Sequence, residues 1–304
     1  GISICKIKDS FEDLSVFTAD TSTSAGLDRF KNKFPESFFD CGIAEQCMVS
    51  TAAGYVEEGG IALASTFAPF LILRSAEQVR LTMGYMNLPL IVTGLASGVA
   101  LGYLGYTHCC VEDLSLILNI PNILTYIPSD CFELNSVLPH LITQKKPTYI
   151  RLTGLSKIQP LHQKSFNIDF VSPLEIFSKG KNLLILSSGT ISSNVVNAIN
   201  NLDNNYQNQI SHFVMPFINQ TESPEVLSKL LGEFKNVLVL EEGMYGGIPS
   251  FISKIISDYS INIRFKYNSH PNDFLKCGSY EFMLRQCELD VQSITSRIIN
   301  ILNI

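Results

Sequence analysis

The stretch AEQCMVSTAAGYVEEGGIALAS, residues 44–65, is typical of alternating α/β structure. Its first part, 44–58, has the apolar spacing of an amphipathic helix and stops at two glycines. Residues 61–65 follow as a short apolar strand, and residues 14–18 predict another strand before the helix. Because strands separated by helices form βαβ units, this part of the chain predicts a largely parallel sheet.

The same alternation extends along most of the chain. Further strands are predicted at 88–94, 123–127, 148–152, 182–188, 210–215, 236–240 and 262–267. Further helices are predicted at 69–85, 111–118, 130–144, 191–202, 224–231, 246–258 and 291–302. The alternation is lost in 156–180, which we interpret as a linker. The predicted fold class is α/β, with two doubly wound domains at 1–155 and 181–304, each with a mainly parallel central sheet flanked by helices.

Length and composition exclude several classes of protein. The chain has 304 residues, of which 46% are hydrophobic and 16% charged, so it can form two cores and is not mostly disordered. The 22 Lys and Arg against 28 Asp and Glu give a net charge of −6, without a dense basic run. A nucleic-acid partner is not expected, because binding to phosphates needs a basic surface.

The eight cysteines are scattered through the chain and form no CxxC pair. This usage is typical of reduced thiols and predicts a cytoplasmic protein without a disulfide framework or zinc site. We interpret Cys109 and Cys110 as buried and inert, with thiol chemistry as the alternative.

One apolar stretch has no Asp, Glu, Lys or Arg between Arg80 and Glu112. Its residues 88–106 are long enough to cross a bilayer, but they include Pro89 and four glycines. These residues favour a buried strand followed by a glycine-rich loop, so we expect no membrane span.

Two polar residues in apolar settings are candidates for chemistry. Glu45 lies at the predicted start of helix 44–58, where the helix dipole and free backbone N–H groups favour a carboxylate. His108 ends the charge-free loop before another predicted helix. Each also has a structural interpretation, Glu45 as an ordinary first-turn glutamate and His108 as a capping or packing residue. The motifs of dinucleotide sites, phosphate loops, zinc proteases and serine hydrolases do not occur.

A series of motifs in a fixed order narrows these alternatives. The motifs are ADTSTSAGL at 19–27, GIAEQ at 42–46, STFAPF at 65–70, GYTHCCVED at 105–113, YIRLTG at 149–154, VLVLEEGMYGGI at 237–248 and HPNDFLKCGSYEFML at 270–284. Because it contains these motifs in this order, the chain resembles the transketolase family of thiamine diphosphate enzymes over nearly its whole length. The resemblance is strongest to the separate C-terminal subunit of split transketolases. It implies that domain 1–155 binds the pyrimidine of the cofactor and that domain 181–304 is the family's C-terminal domain.

The resemblance implies a role for each matching residue around the cofactor. Glu45 corresponds to the glutamate that hydrogen-bonds N1′ of the pyrimidine and favours the tautomer that removes the thiazolium C2 proton. Phe67 and Phe70 correspond to aromatic residues that pack on the pyrimidine, and Asp20 to an acidic cofactor contact. His108 corresponds to the histidine that contacts the donor substrate and moves protons. Glu45 and His108 are therefore the predicted catalytic residues.

Substrate binding is expected to depart from the family pattern. Ser24 and Arg151 match phosphate contacts of the family. Leu104 stands where transketolases have an aspartate that recognises a donor hydroxyl, and Ala96 stands where they have a histidine. Leucine and alanine side chains form no hydrogen bonds, so reduced specificity for sugar hydroxyls is expected. The alternative for Arg151 is a surface salt bridge.

The resemblance also implies that the site is shared with a second subunit. The family binds the diphosphate of the cofactor and a metal ion, Mg²⁺ or Ca²⁺, through a GDG motif with a downstream Asn, and no GDG occurs in this sequence. A separate N-terminal subunit is therefore expected to bind the metal and the diphosphate, while this chain holds no metal. The expected assembly is a two-plus-two heterotetramer.

The predicted activity is the transfer of a two-carbon ketol unit from a ketose phosphate donor to an acceptor, by an enzyme that is active only with its partner. One alternative is transfer to a lipoyl or carrier-protein thiol, which is motivated by Leu104 and Ala96. The others are a subunit like the β subunit of 2-oxo-acid dehydrogenases and a non-catalytic interaction subunit.

Overall fold

The computed structural model describes residues 1–153, 159–164, 166, 170–218 and 223–303. In this part of the chain the strands form two sheets. The strands are β1 Leu14–Thr18, β2 Phe38–Asp40, β3 Ile61–Phe67, β4 Ile91–Leu95, β5 Leu124–Tyr126, β6 Thr148–Arg151, β7 Leu174–Ser178, β8 Leu183–Ser187, β9 Ile210–Val214, β10 Phe217–Ile218, β11 Asn236–Met244 and β12 Arg264–His270.

Helices alternate with most of these strands. They are α1 Ile2–Ile7, α2 Asp28–Lys33, α3 Glu45–Glu57, α4 Ala76–Val79, α5 Asp113–Ile117, α6 Cys131–Thr143, α7 Ile191–Asn200, α8 Asn204–Gln207, α9 Ser223–Gly232, α10 Ile248–Asp258, α11 Tyr280–Gln286 and α12 Val291–Leu302. The amphipathic helices bury one face, as α12 does with Ile294, Ile298 and Ile301.

Both sheets are mostly parallel. The first has the order β10-β5-β6-β4-β3-β1-β2, and only its edge strand β10 is antiparallel to its neighbour. The second has the order β12-β11-β8-β9-β7, with β7 antiparallel at its edge. In each sheet the chain moves outward from an early strand first to one side and then to the other, so the prediction of doubly wound α/β sheets is confirmed.

Short elements are the ones that the sequence pattern missed. It did not predict seven elements of between two and seven residues, which are α1, α2, β2, β7, α8, β10 and α11. Segments of this length contain too few periodic positions to separate them from loops.

The predicted linker at 156–180 is partly wrong. Its residues 174–178 form β7, which pairs with β9, so the second sheet begins before residue 181. The boundary predicted at 155 lies outside the described residues. The two halves of the chain also share a sheet, because β10 from the second half pairs with β5 of the first sheet.

The helix predicted at 69–85 is interrupted. α4 lies between two π-helical segments, Phe70–Arg74 and Arg80–Tyr85. The wider turns bury Leu71 and Ile72 while Leu73 and Arg74 are exposed. π-helical turns of this kind are frequent near functional sites.

The two sheets share one hydrophobic cluster, which includes Val92 of β4 and Val239 of β11. The apolar stretch 88–106 contributes β4 to this core and continues as a glycine-rich loop, as predicted. In the described part of the chain, no helix has both the length and the apolar character needed to span a membrane.

The strand order determines where a site can form. β2 lies on one side of β1 and β3 on the other, so the connections after β1 and β3 diverge at the carboxyl edge of the first sheet. In open α/β sheets, ligands bind in the crevice that this divergence leaves. Phe67 ends β3 at this edge, and Asp20 follows β1.

Candidate functional site

Glu45 is the first residue of α3 and is only 3% exposed. Its helix buries an apolar face that includes Met48, Val49 and Ala52. The side chain therefore lies at the junction of a hydrophobic core and a helix N-terminus, where the helix dipole favours negative charge. This placement agrees with the sequence prediction for the residue.

Arg74 binds the Glu45 carboxylate, and the sequence analysis did not single it out. Its Nη1 donates to both carboxylate oxygens, at 2.8 Å to Oε1 and 2.7 Å to Oε2. The guanidinium also stacks on Phe70, 4.4 Å from the ring centroid, which allows a cation–π interaction. Arg74 is 46% exposed, so the pair has one buried partner and one at the surface. No local motif marks Arg74, because the contact spans 29 positions and depends on the π-helical turn.

The structure brings three of the predicted site residues together. Phe67 and Phe70 meet edge to face with centroids 6.2 Å apart. The His108 imidazole lies edge to face against both rings, 6.1 Å from Phe67 and 5.5 Å from Phe70. All three side chains are half-buried. Phe67 and Phe70 thus form an aromatic wall that Arg74, the partner of Glu45, contacts at Phe70 and that His108 contacts from a different loop.

A hydrogen bond to the neighbouring Thr107 orients the His108 ring. The Thr107 hydroxyl lies 2.9 Å from His108 Nδ1 and 3.3 Å from the Leu104 carbonyl. Either the hydroxyl or the ring nitrogen is the donor of the shorter bond, depending on the tautomer of the imidazole. His108 Nε2 takes no part in this hydrogen bond.

Asp20 is exposed at the end of β1 and has a left-handed backbone, with φ of 54°. Its backbone N–H donates to Asp40 Oδ1 at 2.9 Å, and the N–H of Gly42 donates to the same oxygen at 3.0 Å. Asp40 thereby ties the turn that carries Asp20 to the loop that precedes Glu45. Ser24 is exposed in a turn after β1, and none of the contacts of the described residues joins it to Glu45 or His108.

Arg151 does not have the position predicted for a phosphate contact. Its side chain is 6% exposed, with Nε donating to Asp113 Oδ2 at 2.8 Å and Nη2 donating to the Glu242 carbonyl at 2.8 Å. Asp113 is completely buried and also accepts a hydrogen bond from the Tyr149 hydroxyl at 2.7 Å. Asp113 and Arg151 form a buried ion pair within the first half of the chain, and the bond to Glu242 links it to the second half, so Arg151 lies in neither a phosphate site nor a surface salt bridge. Burial by itself lowers the pKa of the guanidinium, but the Asp113 carboxylate beside it outweighs burial and raises this pKa.

We expect Arg151→Met to lower the free energy of unfolding by about 3–5 kcal/mol, because it leaves the Asp113 carboxylate buried without its cation. Urea denaturation of the chain measures this loss. Adding Asp113→Asn to the variant should recover part of the stability, since the amide is neutral and still accepts from Tyr149. An unchanged unfolding midpoint in the single variant would contradict the structural role of the pair.

Glu241 is a second buried carboxyl group at this boundary. It is 2% exposed, and its Oε2 accepts from the backbone N–H of Ile248 at 2.6 Å. Burial raises its pKa to about 8, and although Arg151 opposes the rise, the nearby Asp113 adds to it. The folded chain therefore holds a proton on Glu241 at neutral pH.

This proton makes the stability of the chain depend on pH. An unfolded glutamate releases its proton near pH 4.5 and folded Glu241 near pH 8, so the contribution is present at low pH and is lost as the pH rises between these values. Glu241→Gln mimics the protonated form at both pH values. Between pH 5 and pH 8 we therefore expect the Tm of the wild type to fall by roughly 3 °C more than the Tm of Glu241→Gln. Differential scanning calorimetry measures the difference. The exposed Glu233→Gln is the control, and equal slopes for wild type and Glu241→Gln would refute the assignment.

The cysteines have the state that the sequence predicts. All eight are free thiols, and both Cys109 and Cys110 are buried. Burial raises the pKa of Cys109 to about 12, and it also raises the pKa of Cys110. Both groups therefore remain protonated and unreactive at neutral pH.

The family described as "Transketolase, pyrimidine binding domain" matches residues 3–155, which is half of the chain. The chain belongs to the transketolase family. The matched region contains Glu45, Arg74, Phe67, Phe70 and His108, so the whole candidate site lies within it.

The similarity to known proteins extends over nearly the whole chain, beyond the region that the family matches. The chain is 28% identical to an apulose-4-phosphate transketolase subunit of Actinobacillus succinogenes, over 93% of this chain and 90% of that protein. It is 26% identical to a putative transketolase C-terminal section of Methanocaldococcus jannaschii, over 98% of this chain and 93% of that protein. It is also 26% identical to the 1-deoxy-D-xylulose-5-phosphate synthase of Chlamydia felis, but it spans only 47% of that protein.

Solved structures of transketolases have the same fold. A split gene transketolase described as an inactive beta4 tetramer has a TM-score of 0.85 at 23% identity, covering 99% of this chain and 96% of that chain. Transketolase of Pichia stipitis in complex with sedoheptulose-7-phosphate has a TM-score of 0.80 at 17% identity, and the match covers 99% of this chain and 44% of that chain.

Two positions that depart from the transketolase pattern lie in the loop between β4 and α5, residues 96–112, which we call the His108 loop. Leu104 is 46% exposed in a 3-10 turn three residues after Leu101. Ala96 is 6% exposed and has a left-handed backbone, with φ of 52°. The apolar Leu104 side chain therefore faces solvent near His108, whereas Ala96 is packed inside.

The residues at this site fit the pyrimidine half of thiamine diphosphate, the cofactor of the transketolase family. Glu45 is a buried hydrogen-bond acceptor, and Arg74 links it to the apolar wall of Phe67 and Phe70. A flat heterocycle with a ring N–H suits a site with an aromatic wall and a carboxylate acceptor. Among the described residues, no group of three or more His, Cys, Asp or Glu side chains is arranged to hold a metal ion.

Proposed function

We propose that this chain is the pyrimidine-side subunit of a thiamine diphosphate-dependent enzyme that transfers a two-carbon ketol unit from a ketose phosphate to an acceptor. One observation carries the proposal: the predicted cofactor residues Phe67 and Phe70 and the predicted substrate residue His108 form one ring cluster, and Arg74, which stacks on Phe70, binds Glu45. When bound, the cofactor supplies the carbanion chemistry and acts as an electron sink. The protein residues supply position, charge and proton transfer.

Glu45 is proposed to accept a hydrogen bond from the pyrimidine ring of the cofactor. Its burial supports this role, because a low local dielectric strengthens the coupling between a carboxylate and a ring nitrogen. Arg74 orients the carboxylate and balances its charge, because the guanidinium binds both oxygens. We propose that the ring takes one of these two oxygens and that Arg74 keeps the other.

His108 is proposed to exchange a proton with a hydroxyl of the substrate through Nε2. Thr107 holds the other nitrogen, which orients the ring. The half-buried position allows contact with a ligand on one side, while Phe67 and Phe70 exclude water on the other. A positioned imidazole of this kind suits general acid and base catalysis near neutral pH.

A separate subunit is proposed to bind the diphosphate and the divalent metal. The names of two relatives support a split arrangement, because one is called a transketolase subunit and the other a C-terminal section. We propose a heterotetramer of two copies of each subunit, in which this chain alone is inactive. The name of one relative includes a ketose phosphate, which supports a sugar phosphate as the substrate class.

Reconstitution tests the proposal. The chain is mixed with an N-terminal subunit that contains the GDG motif, with thiamine diphosphate and Mg²⁺, and the aldose phosphate released from a ketose phosphate is measured. We expect turnover only in the mixture, and a mass of two plus two subunits by light scattering. Turnover by this chain alone, or no turnover of any ketose phosphate by the mixture, would exclude the proposal. Transfer of the ketol unit to a lipoyl or carrier-protein thiol would instead support the carrier variant.

A decarboxylating synthase is the second candidate. The match to 1-deoxy-D-xylulose-5-phosphate synthase over the whole chain favours it. It predicts that the reconstituted pair releases carbon dioxide from pyruvate in the absence of a ketose phosphate. Radiolabelled pyruvate separates the two functions, because a ketol transfer from a sugar releases no carbon dioxide.

A further inference from the structure

We infer that Glu242, which belongs to the second sheet, is a positioning residue that holds the His108 loop in place. Its carboxylate Oε1 accepts the backbone N–H of Val99 at 2.9 Å, and Oε2 accepts the Tyr280 hydroxyl at 2.6 Å. The side chain is 4% exposed, so both oxygens are satisfied by protein groups away from solvent. The effect on catalysis rests on the proposed role of His108, whereas the effect on the loop does not.

The Gly98 backbone shows how closely the carboxylate and the loop fit. Gly98 has φ of +70°, and a Cβ at this position would lie 2.4 Å from Glu242 Oε1. Only glycine combines this conformation with such a close approach at no steric cost. The loop therefore packs directly on the carboxylate.

A short bridge transmits this contact to the neighbourhood of His108. The backbone N–H of Gly98 donates to the Cys110 carbonyl at 2.7 Å, and the N–H of Cys110 donates back at 2.9 Å. Glu242 binds the residue after Gly98, and Cys110 lies two residues after His108. Holding the start of the loop at Val99 therefore also holds the segment that carries the imidazole.

The rest of the loop is also bound to the second half of the chain. The Gly278 N–H donates to the Gly102 carbonyl at 3.1 Å, and the Met244 N–H donates to the Val111 carbonyl at 2.8 Å. The Tyr106 hydroxyl lies 2.6 Å from His270 Nε2 and accepts from the Leu275 N–H at 3.1 Å. Glu242 differs from these contacts because a single side chain binds both the loop, at Val99, and Tyr280 of α11. Its own carbonyl is bound by Arg151, which fixes its backbone.

Hydrogen–deuterium exchange of the full chain tests the inference. We expect the peptide that covers 98–108 to exchange about tenfold faster in Glu242→Ala, because the Val99 N–H loses its acceptor. Glu242→Gln retains an acceptor oxygen and should exchange within about twofold of the wild type. Glu241→Ala is the matched control, since that carboxyl group is equally buried but binds Ile248 and not the loop.

Gly98→Ala tests the same contact by changing the loop instead of the carboxylate. It is the deciding variant if Glu242→Ala does not fold. Its Cβ should displace the carboxylate and raise exchange in 98–108 by a similar factor. If Glu242→Ala folds and this peptide exchanges at the wild-type rate, the inference is overturned. If Glu242→Ala does not fold, exchange at the wild-type rate in Gly98→Ala overturns it.

The reconstituted pair separates this inference from the proposed function. We expect Glu242→Ala to lower kcat about tenfold with KM and cofactor affinity nearly unchanged, because only the position of His108 changes. Glu242→Gln should restore kcat. If the wild-type pair has no ketol transfer but exchange in 98–108 still responds to Glu242, the proposed function fails and the positioning role stands.

Discussion

Glu45→Gln is expected to lower the turnover of the reconstituted pair by a factor of about 10² to 10⁴, within the range for loss of a positioned acid–base group. Glutamine has the same shape but no charge, so it binds a ring nitrogen weakly and leaves Arg74 without its anionic partner. Steady-state assays of ketose phosphate cleavage measure the loss. Cofactor affinity, measured by calorimetry, should fall as well, which provides a readout independent of turnover.

Glu57→Gln is the control for this variant. Glu57 lies in the same helix, α3, but at its exposed C-terminal end. We expect its turnover to stay within twofold of the wild type. If Glu45→Gln is as active as Glu57→Gln in a folded pair, Glu45 is an ordinary first-turn residue and the catalytic assignment must be abandoned.

The second large effect is expected from His108→Ala. Removing the imidazole removes the proton acceptor proposed for the substrate, and we expect kcat to fall by about 10² to 10⁴. The thermal stability of the chain should change little, because His108 is half-buried and its side-chain hydrogen bond is to Thr107 next to it. The pH dependence of kcat should change as well, because the variant lacks the titratable group that is proposed to move the proton.

His140→Ala is the matched control for His108→Ala. His140 is exposed on α6, where its ring stacks on Phe170 at 3.8 Å, away from the aromatic wall at Phe67. The control should retain wild-type kcat and pH dependence. A His108→Ala variant with the same profile as the control would remove His108 from the mechanism.

Local patterns predicted the residues of the site better than the contacts among them. GIAEQ and STFAPF mark Glu45, Phe67 and Phe70, because each motif is continuous in sequence. The ring contacts between His108 and Phe70 join residues 38 positions apart in the folded chain and have no local signal. The roles of these residues stay predictions until variants are assayed.

The wrong role predicted for Arg151 and the omission of Arg74 have the same physical origin. Arg151 has the residue type of a phosphate ligand, but its partners Asp113 and Glu242 lie 38 and 91 positions away. Arg74 lies in a segment whose pattern predicts an ordinary helix, and its partner Glu45 lies 29 positions away. In both cases, tertiary packing selects the partner of a long cation, and residue type alone does not specify that partner.

The small strand β10 has a consequence for any attempt to work with half of this chain. It covers the outer edge of the first sheet, and its Phe217 ring stacks on Tyr126 of β5 at 4.8 Å. A fragment that stops where the family match ends, at residue 155, would uncover the backbone of β5 along that edge. Open edges invite strands from other molecules, so the sequence-defined domain is not a safe unit for expression. The unit that keeps the edge closed includes the chain at least to Ile218.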